Sequence, residues 1–193
     1  MRLLTICGSL RSGSANSEVL EAAALLAPEG VTFRRYAGLG ALPPFNPDLD
    51  TEAPPAAVQA LRREIGACDG LLISSPEYAH GIPGTLKNAL DWLVASLEFA
   101  GTPTALINPS ARSVHAVAQL REVLCTMSAN LIEGASITLD LQGRGLVAAA
   151  IAADPTFSAP LRDAMSHFVG AIGSARSDPG AWLPSAGEPD TRP

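Results

Sequence analysis

Lysine is almost missing from this chain. Thirteen basic residues stand among 193, yet Lys87 is the one lysine, and there is no basic run to set against a formal net charge of −6. Nucleic acid is therefore excluded as the main partner, because phosphate binding needs clustered Lys and Arg. Long apolar runs are missing too. No stretch reaches the ~20 residues that cross a bilayer, and Leu3 to Cys7 is too short for the apolar region of a signal peptide. No membrane partner is expected, and the expected location is cytoplasmic. Cysteine is scarce: Cys7, Cys68 and Cys125 cannot all pair, none belongs to a CxxC motif, and all three are expected as reduced, buried thiols. His80, His115 and His167 lie far in sequence from these cysteines, so no metal site is expected. No Ser-His-Asp set and no carboxylate pair stands out, and no side chain is assigned a catalytic role.

Apolar residues are plentiful. They make up 47% of the chain against 17% charged residues, which is too apolar for a disordered protein. At roughly 150 residues per domain the length favours one compact domain, expected over 1–176. A loose Pro-rich tail, 177–193, follows with Pro179, Pro184, Pro189 and Pro193.

Short apolar runs alternate with amphipathic segments. Strands are expected at Leu3–Cys7, Val31–Tyr36, Gly70–Ser75, Thr104–Asn108 and Leu131–Leu139, the last interrupted at Gly134. Helices are expected at Asn16–Ala27, Ala56–Ala67, Thr85–Leu97, Ser113–Ala129 and Pro160–Ile172. A Pro- and Gly-rich connection runs from 38 to 55. Strands alternating with helices mean right-handed crossovers and a parallel sheet. Five such strands, nearly continuous in apolar residues, predict an α/β fold: a doubly wound five-stranded parallel sheet of order 2-1-3-4-5, helices on both faces. Ligands then bind beyond the carboxyl ends of the strands, so the loops after strands 1, 3 and 4 are the first candidates.

The loop after strand 1 reads Gly8-Ser9-Leu10-Arg11-Ser12-Gly13-Ser14-Ala15-Asn16-Ser17. It leaves a buried strand and opens a helix, where free N–H groups and the helix dipole favour an anion. Serine hydroxyls, the Asn16 amide and the Arg11 charge suit a terminal phosphate monoester. The spacing lacks the Lys-Ser/Thr of a nucleoside-triphosphate loop and the second glycine of a dinucleotide fingerprint. A capped turn is the competing reading of the same residues. The loop after strand 3, Ser75-Pro76-Glu77-Tyr78-Ala79-His80-Gly81-Ile82-Pro83-Gly84, has a backbone fixed by prolines and glycines. A flat heteroaromatic ring can lie against such a backbone, with Tyr78 on or beside it; a rigid crossover loop is the alternative. His80 faces either the substrate side of that ring or a subunit contact. Further on, Leu86, Leu90, Leu93 and Leu97 form one apolar helical stripe, with Trp92 and Val94 beside it. Ordinary packing on the sheet is one reading of this stripe; the other gives the helix two covers, the sheet and a second subunit.

Together the two loops carry a resemblance. The chain resembles the NADPH-dependent FMN reductase family, flavodoxin-like proteins that include quinone, chromate and azo-dye reductases. The likeness rests on Gly8-Ser9-Leu10-Arg11 with Ser14 and Asn16, and on Ser75-Pro76-Glu77-Tyr78 followed by Pro83 to Trp92. It implies non-covalently bound FMN, NADPH (or NADH) as hydride donor, and a small electron acceptor such as a quinone, azo compound or metal oxyanion. It also implies a homodimer or homotetramer. By the resemblance, Ser9, Leu10, Arg11, Ser14 and Asn16 hold the FMN phosphate and ribityl chain. Pro76, Glu77, Tyr78 and Ala79 line the ring, mainly through their backbone. Many members have Asn where Ala79 stands, so that side-chain contact is absent here. The third loop, Asn108 to Ser113, lacks the family's glycine-rich stretch and offers Ser110 as a ring or ribityl contact. Arg112 reads either as a contact for the NADPH 2′-phosphate or as a solvent-exposed arginine. The rival function is a flavin-binding electron carrier or regulatory module without turnover, although flavodoxin carriers are more acidic and lack the Pro-Glu-Tyr loop.

Overall fold

The structure, a computed structural model, describes residues 1–177. Beyond Ser177, the tail expected to be loose lies outside the described residues. Six parallel strands form the sheet: β1 (Arg2–Cys7), β2 (Thr32–Arg35), β3 (Gly70–Ser74), β4 (Pro103–Asn108), β5 (Asn130–Leu131) and β6 (Ile137–Thr138). Their order is β2-β1-β3-β4-β5, with β6 also on β4. This is the expected 2-1-3-4-5 sheet with its fifth position split. Thr104 faces Leu131 and Ile107 faces Ile137, so the fifth position has extra residues between its two halves. They fold into a 3-10 turn at Glu133–Ala135, around the glycine expected to interrupt the strand. Ser136 Oγ bridges the break: it accepts from Leu106 N at 3.1 Å and donates to Ile132 O at 3.1 Å.

Alternation along the strands divides the core. Leu4, Ile6, Leu71, Ile73 and Leu106 face one layer with α2 (Ala56–Gly66), α3 (Gly84–Leu93) and α4 (Val114–Thr126). Leu3, Cys7, Leu72, Ala105 and Ile107 face the other, with α1 (Ala15–Leu26), α5 (Ala148–Ala153) and α6 (Pro155–Ser177). Near-continuous apolar strands follow from this, since both faces are covered. α6 starts before the expected Pro160. Asp154 caps it through Thr156 N (2.9 Å) with Pro155 at the first position, and Pro160 falls in the second turn. α5 was not expected.

The helix read as Thr85–Leu97 ends at Leu93, and this corrects the two-cover reading. Leu86, Leu90 and Leu93 face the sheet side, but Leu97 lies past the helix end and is 93% exposed. Trp92, expected at a subunit surface, is 0% exposed. Its second cover is the 38–55 connection. Trp92 Nε1 and Asn88 Nδ2 both donate to Pro43 O (2.8 and 2.9 Å), Phe45 N donates to Asn88 Oδ1 (2.7 Å), and the Phe45 and Trp92 rings meet edge to face at 5.0 Å. The second half of the Pro83–Trp92 motif therefore holds a long loop against α3. The cysteines also differ from expectation: Cys7 is buried, Cys68 is half-buried and Cys125 is exposed, all as free thiols.

Candidate functional site

β1 and β3 end side by side. Gly8 N donates to Ser74 O at 2.8 Å, extending their ladder, and a Cβ on Gly8 would meet Ser75 Oγ at 2.8 Å. Only glycine lets the first two loops leave the sheet this close together. Between them opens a cleft of about 590 Å3, lined by the ends of four loops. That size lies within the usual range for small-molecule sites.

At one end of the cleft stand Ser9, Arg11, Ser14 and Asn16. Ser14 is the N-cap of α1: its Oγ accepts from Ser17 N at 3.1 Å, and Ser17 Oγ donates back to Ser14 O at 2.8 Å. The capped-turn reading is thus correct for Ser14 and Ser17, and it coexists with an N-terminus aimed into the cleft. Ser9 Oγ accepts from Arg11 N at 3.3 Å, which curls the loop. Asn16 Oδ1 accepts from Ser74 Oγ at 2.9 Å, leaving its NH2 to offer. Arg11 is exposed, and its guanidinium has no ion-pair partner among the described residues. Leu10 does not line the cleft. Its side chain is 60% exposed and lies by Gly40, so it can contribute only main chain.

Pro76, Glu77 and Tyr78 of the next loop line the cleft as well. Glu77 Oε2 accepts from Ala116 N at 2.9 Å, which ties this loop to the first turn of α4. Tyr78 and Gly81 exchange backbone hydrogen bonds of 2.9 and 3.0 Å around Ala79 and His80, whose φ values are +49° and +61°. Two positive φ values in a two-residue turn are the signature of type I′, where Asn-Gly is preferred. Ala79 therefore sits at the turn tip, outside the cleft lining. Gly81 faces Gln119 of α4, and Gln119 Oε1 accepts from Ile82 N at 2.8 Å.

The third loop brings in Pro109, Ser110 and Ser113. Ser110 Oγ donates to Gln142 Oε1 at 2.6 Å, and Arg112 Nε donates to the same oxygen at 3.0 Å. Gln142 opens a wall that sequence reasoning missed: Leu141 to Gly143, Gly145 to Val147, and Ile151. Glu18 of α1 holds this wall from below, its Oε2 accepting from Ala148 N at 2.8 Å. The signal was available. Gln142-Gly143-Arg144-Gly145 directly follows the fifth strand position, and the carboxyl-end rule covers every strand.

A doubly wound parallel sheet of order 2-1-3-4-5, with its cleft beyond the carboxyl ends of the strands, defines the flavodoxin-like class. Residues 1–143 match the NADPH-dependent FMN reductase family, and the chain belongs to that family of oxidoreductases. It is 36% identical over 156 residues to an NAD(P)H-dependent FMN reductase of Pseudomonas aeruginosa, covering 75% of this chain and 84% of that one. It is 35% identical over 136 residues to a quinone reductase of Escherichia coli, covering 67% and 72%. Among solved structures it is similar to FerB, a flavoenzyme NAD(P)H:(acceptor) oxidoreductase from Paracoccus denitrificans, with a TM-score of 0.75 and 26% identity over 90% of this chain and 97% of that one. Among the described residues, no helix is long and apolar enough to cross a membrane.

Proposed function

We propose that the cleft holds FMN and that the protein passes a hydride from NADPH or NADH to a small acceptor of the quinone, azo or oxyanion type. The observation that carries this reading is the polarity of the cleft. The loop after β1 offers hydroxyls, a helix N-terminus and an arginine without an ion-pair partner among the described residues; the loop after β3 is a Pro-Glu-Tyr wall tied to α4. The donor set fits a phosphate monoester at the first loop and a flat ring at the second. When bound, FMN supplies the hydride-accepting and hydride-donating chemistry. Ser9, Arg11, Ser14 and Asn16, with the Leu10 main chain, would bind its phosphate and ribityl chain. Pro76, Glu77 and Tyr78, extended by the Ala79 turn, would fix the ring, and Ser110 with Gln142 would close the far side. Their task is orientation, since transfer between stacked rings needs close approach more than acid–base help. The exposed Val94 and Leu97 beyond α3 would serve a contact between copies of the chain; changing both to Ser should then lower the mass seen by light scattering.

The test is affinity for FMN against riboflavin. A hydrogen bond to a charged group is worth about 1.5–3 kcal/mol, so Arg11→Ala should weaken FMN roughly 10- to 100-fold while riboflavin changes little. Equal losses for both flavins would remove Arg11 from the phosphate. A purified protein that takes up no flavin would remove the reading itself.

A further inference from the structure

Outside the cleft lining, the fold joins two histidines that are well separated in sequence. One carboxylate oxygen of Glu77 and one ring nitrogen from each of His80 and His115 lie within 4.8 Å of one another. The two imidazoles stack with planes 5° apart and centroids 4.3 Å apart. Both histidines are exposed and Glu77 is half-buried.

The frame around them is fixed. His80 sits in the turn closed by Tyr78 and Gly81, Glu77 is anchored on Ala116 N, and Gln119 of α4 holds Ile82 N. His115 belongs to the first turn of that same helix. Only the two imidazole side chains are free to turn. Among the described residues, no hydrogen bond or ion pair links the three to one another. With metal bonds of 2.0–2.2 Å, ligand atoms in a tetrahedral site stand about 3.4 Å apart. Shifts of about 1 Å reach that spacing, and one ring must swing out of the stack so that both lone pairs converge. Exposed side chains can do this at little cost.

We propose that Glu77, His80 and His115 form a three-ligand site for a divalent first-row ion of the zinc type at the rim of the cleft. Two imidazole nitrogens and one carboxylate oxygen are the donor set of three-ligand zinc sites that keep a position open. The same set also accepts cobalt, nickel and copper. Glu77 offsets part of the ion's charge, and the hydrogen bond from Ala116 N holds its carboxylate in place as an outer support. A bound ion would tie the turn after β3 to α4 and leave an open coordination position facing solvent. The site shares Glu77 with the cleft lining, and its test reads metal binding rather than flavin binding.

The experiment is titration of the untagged, chelator-treated full chain with Zn2+ by calorimetry and with Co2+ by its visible absorption. One ion per chain is expected, with saturation in the micromolar range. His80→Ala and His115→Ala should each raise the half-saturating concentration at least about tenfold, the loss typical even of outer-shell changes. His167→Ala, at an exposed histidine on α6, should leave it unchanged. Absence of saturable one-to-one binding would overturn the proposal. So would midpoints that stay the same in both His80→Ala and His115→Ala.

Discussion

Ala79 and His80 share a left-handed turn, which suits His better than Ala. Both have positive φ, a region that costs an L residue about 1–2 kcal/mol and in which Asn is several-fold enriched. Position 79 of this chain therefore has a backbone conformation that Asn adopts more readily than Ala. Ala79→Asn should stabilise the chain by about 0.5–1 kcal/mol, a rise of roughly 1–4 °C in Tm for a protein of this size. A fall in Tm would mean that the turn is not left-handed at this position. Cys68 gives a second prediction at this scale. Burial pushes its thiol from the usual 9.0 up to about 11, with Asp69 adding to the rise. The folded chain therefore keeps a proton that the unfolded chain loses near 9. Stability from this thiol is fully present below that pH and is lost as pH climbs towards 11. The Tm of Cys68→Ala should fall less steeply than wild type between pH 9 and 11, whatever the offset between the two curves.

The amphipathic segments are helices in the structure, though α3 ends earlier and α6 starts earlier than the periodicity suggests, and the cover of α3 is not legible in the sequence. Trp92 reads as surplus apolar surface until Pro43 and Phe45 are seen against it. A Pro-rich loop carries no periodicity, so nothing in the 38–55 stretch announces that it is a lid on α3. The lid has a polar anchor as well. Arg62 of α2 bonds both oxygens of Asp50 (2.8 and 3.0 Å) and Trp92 O (2.7 Å), with the Arg62 and Asp50 side chains only 16% and 12% exposed. Removing one partner of a pair this enclosed leaves a charge poorly solvated. Asp50→Ala should cost about 2–3 kcal/mol, below the 3–5 of a fully buried pair because Trp92 O remains. The exposed Arg121–Glu133 pair is the control, since Glu133→Ala should cost at most about 1 kcal/mol. Urea midpoints compare the two; equal losses would show that the lid is not anchored at Asp50.

Across the whole molecule, the cleft is the place where four strand ends meet, and three of those ends were readable. β1, β3 and β4 are long buried runs, so their loops could be located to the residue. The fourth wall follows a strand broken into two pairs of residues, and α5 is Ala148-Ala149-Ala150-Ile151-Ala152-Ala153, helix-forming but without polar contrast. Neither leaves a periodic signal, so Gln142 is not legible in the sequence even though it joins the third loop to the fourth. Its Oε1 takes hydrogen bonds from Ser110 Oγ and Arg112 Nε, the two third-loop residues whose roles the sequence left open. Gln142→Ala removes that shared acceptor. Arg112 is exposed and the buried Ser110 lines the cleft, so water entering the cleft can replace the bonds and stability should change by less than about 1 kcal/mol. The wall itself would lose its register, however, and a site that relies on orientation should respond more strongly. FMN affinity is expected to fall about three- to tenfold, with Tm nearly unchanged. Gln142→Glu keeps the acceptor and strengthens the Arg112 bond through charge, so it should hold affinity closer to wild type than Ala does. Flavin fluorescence titration of the three proteins decides the point: equal affinities throughout would mean that this wall does not touch the flavin.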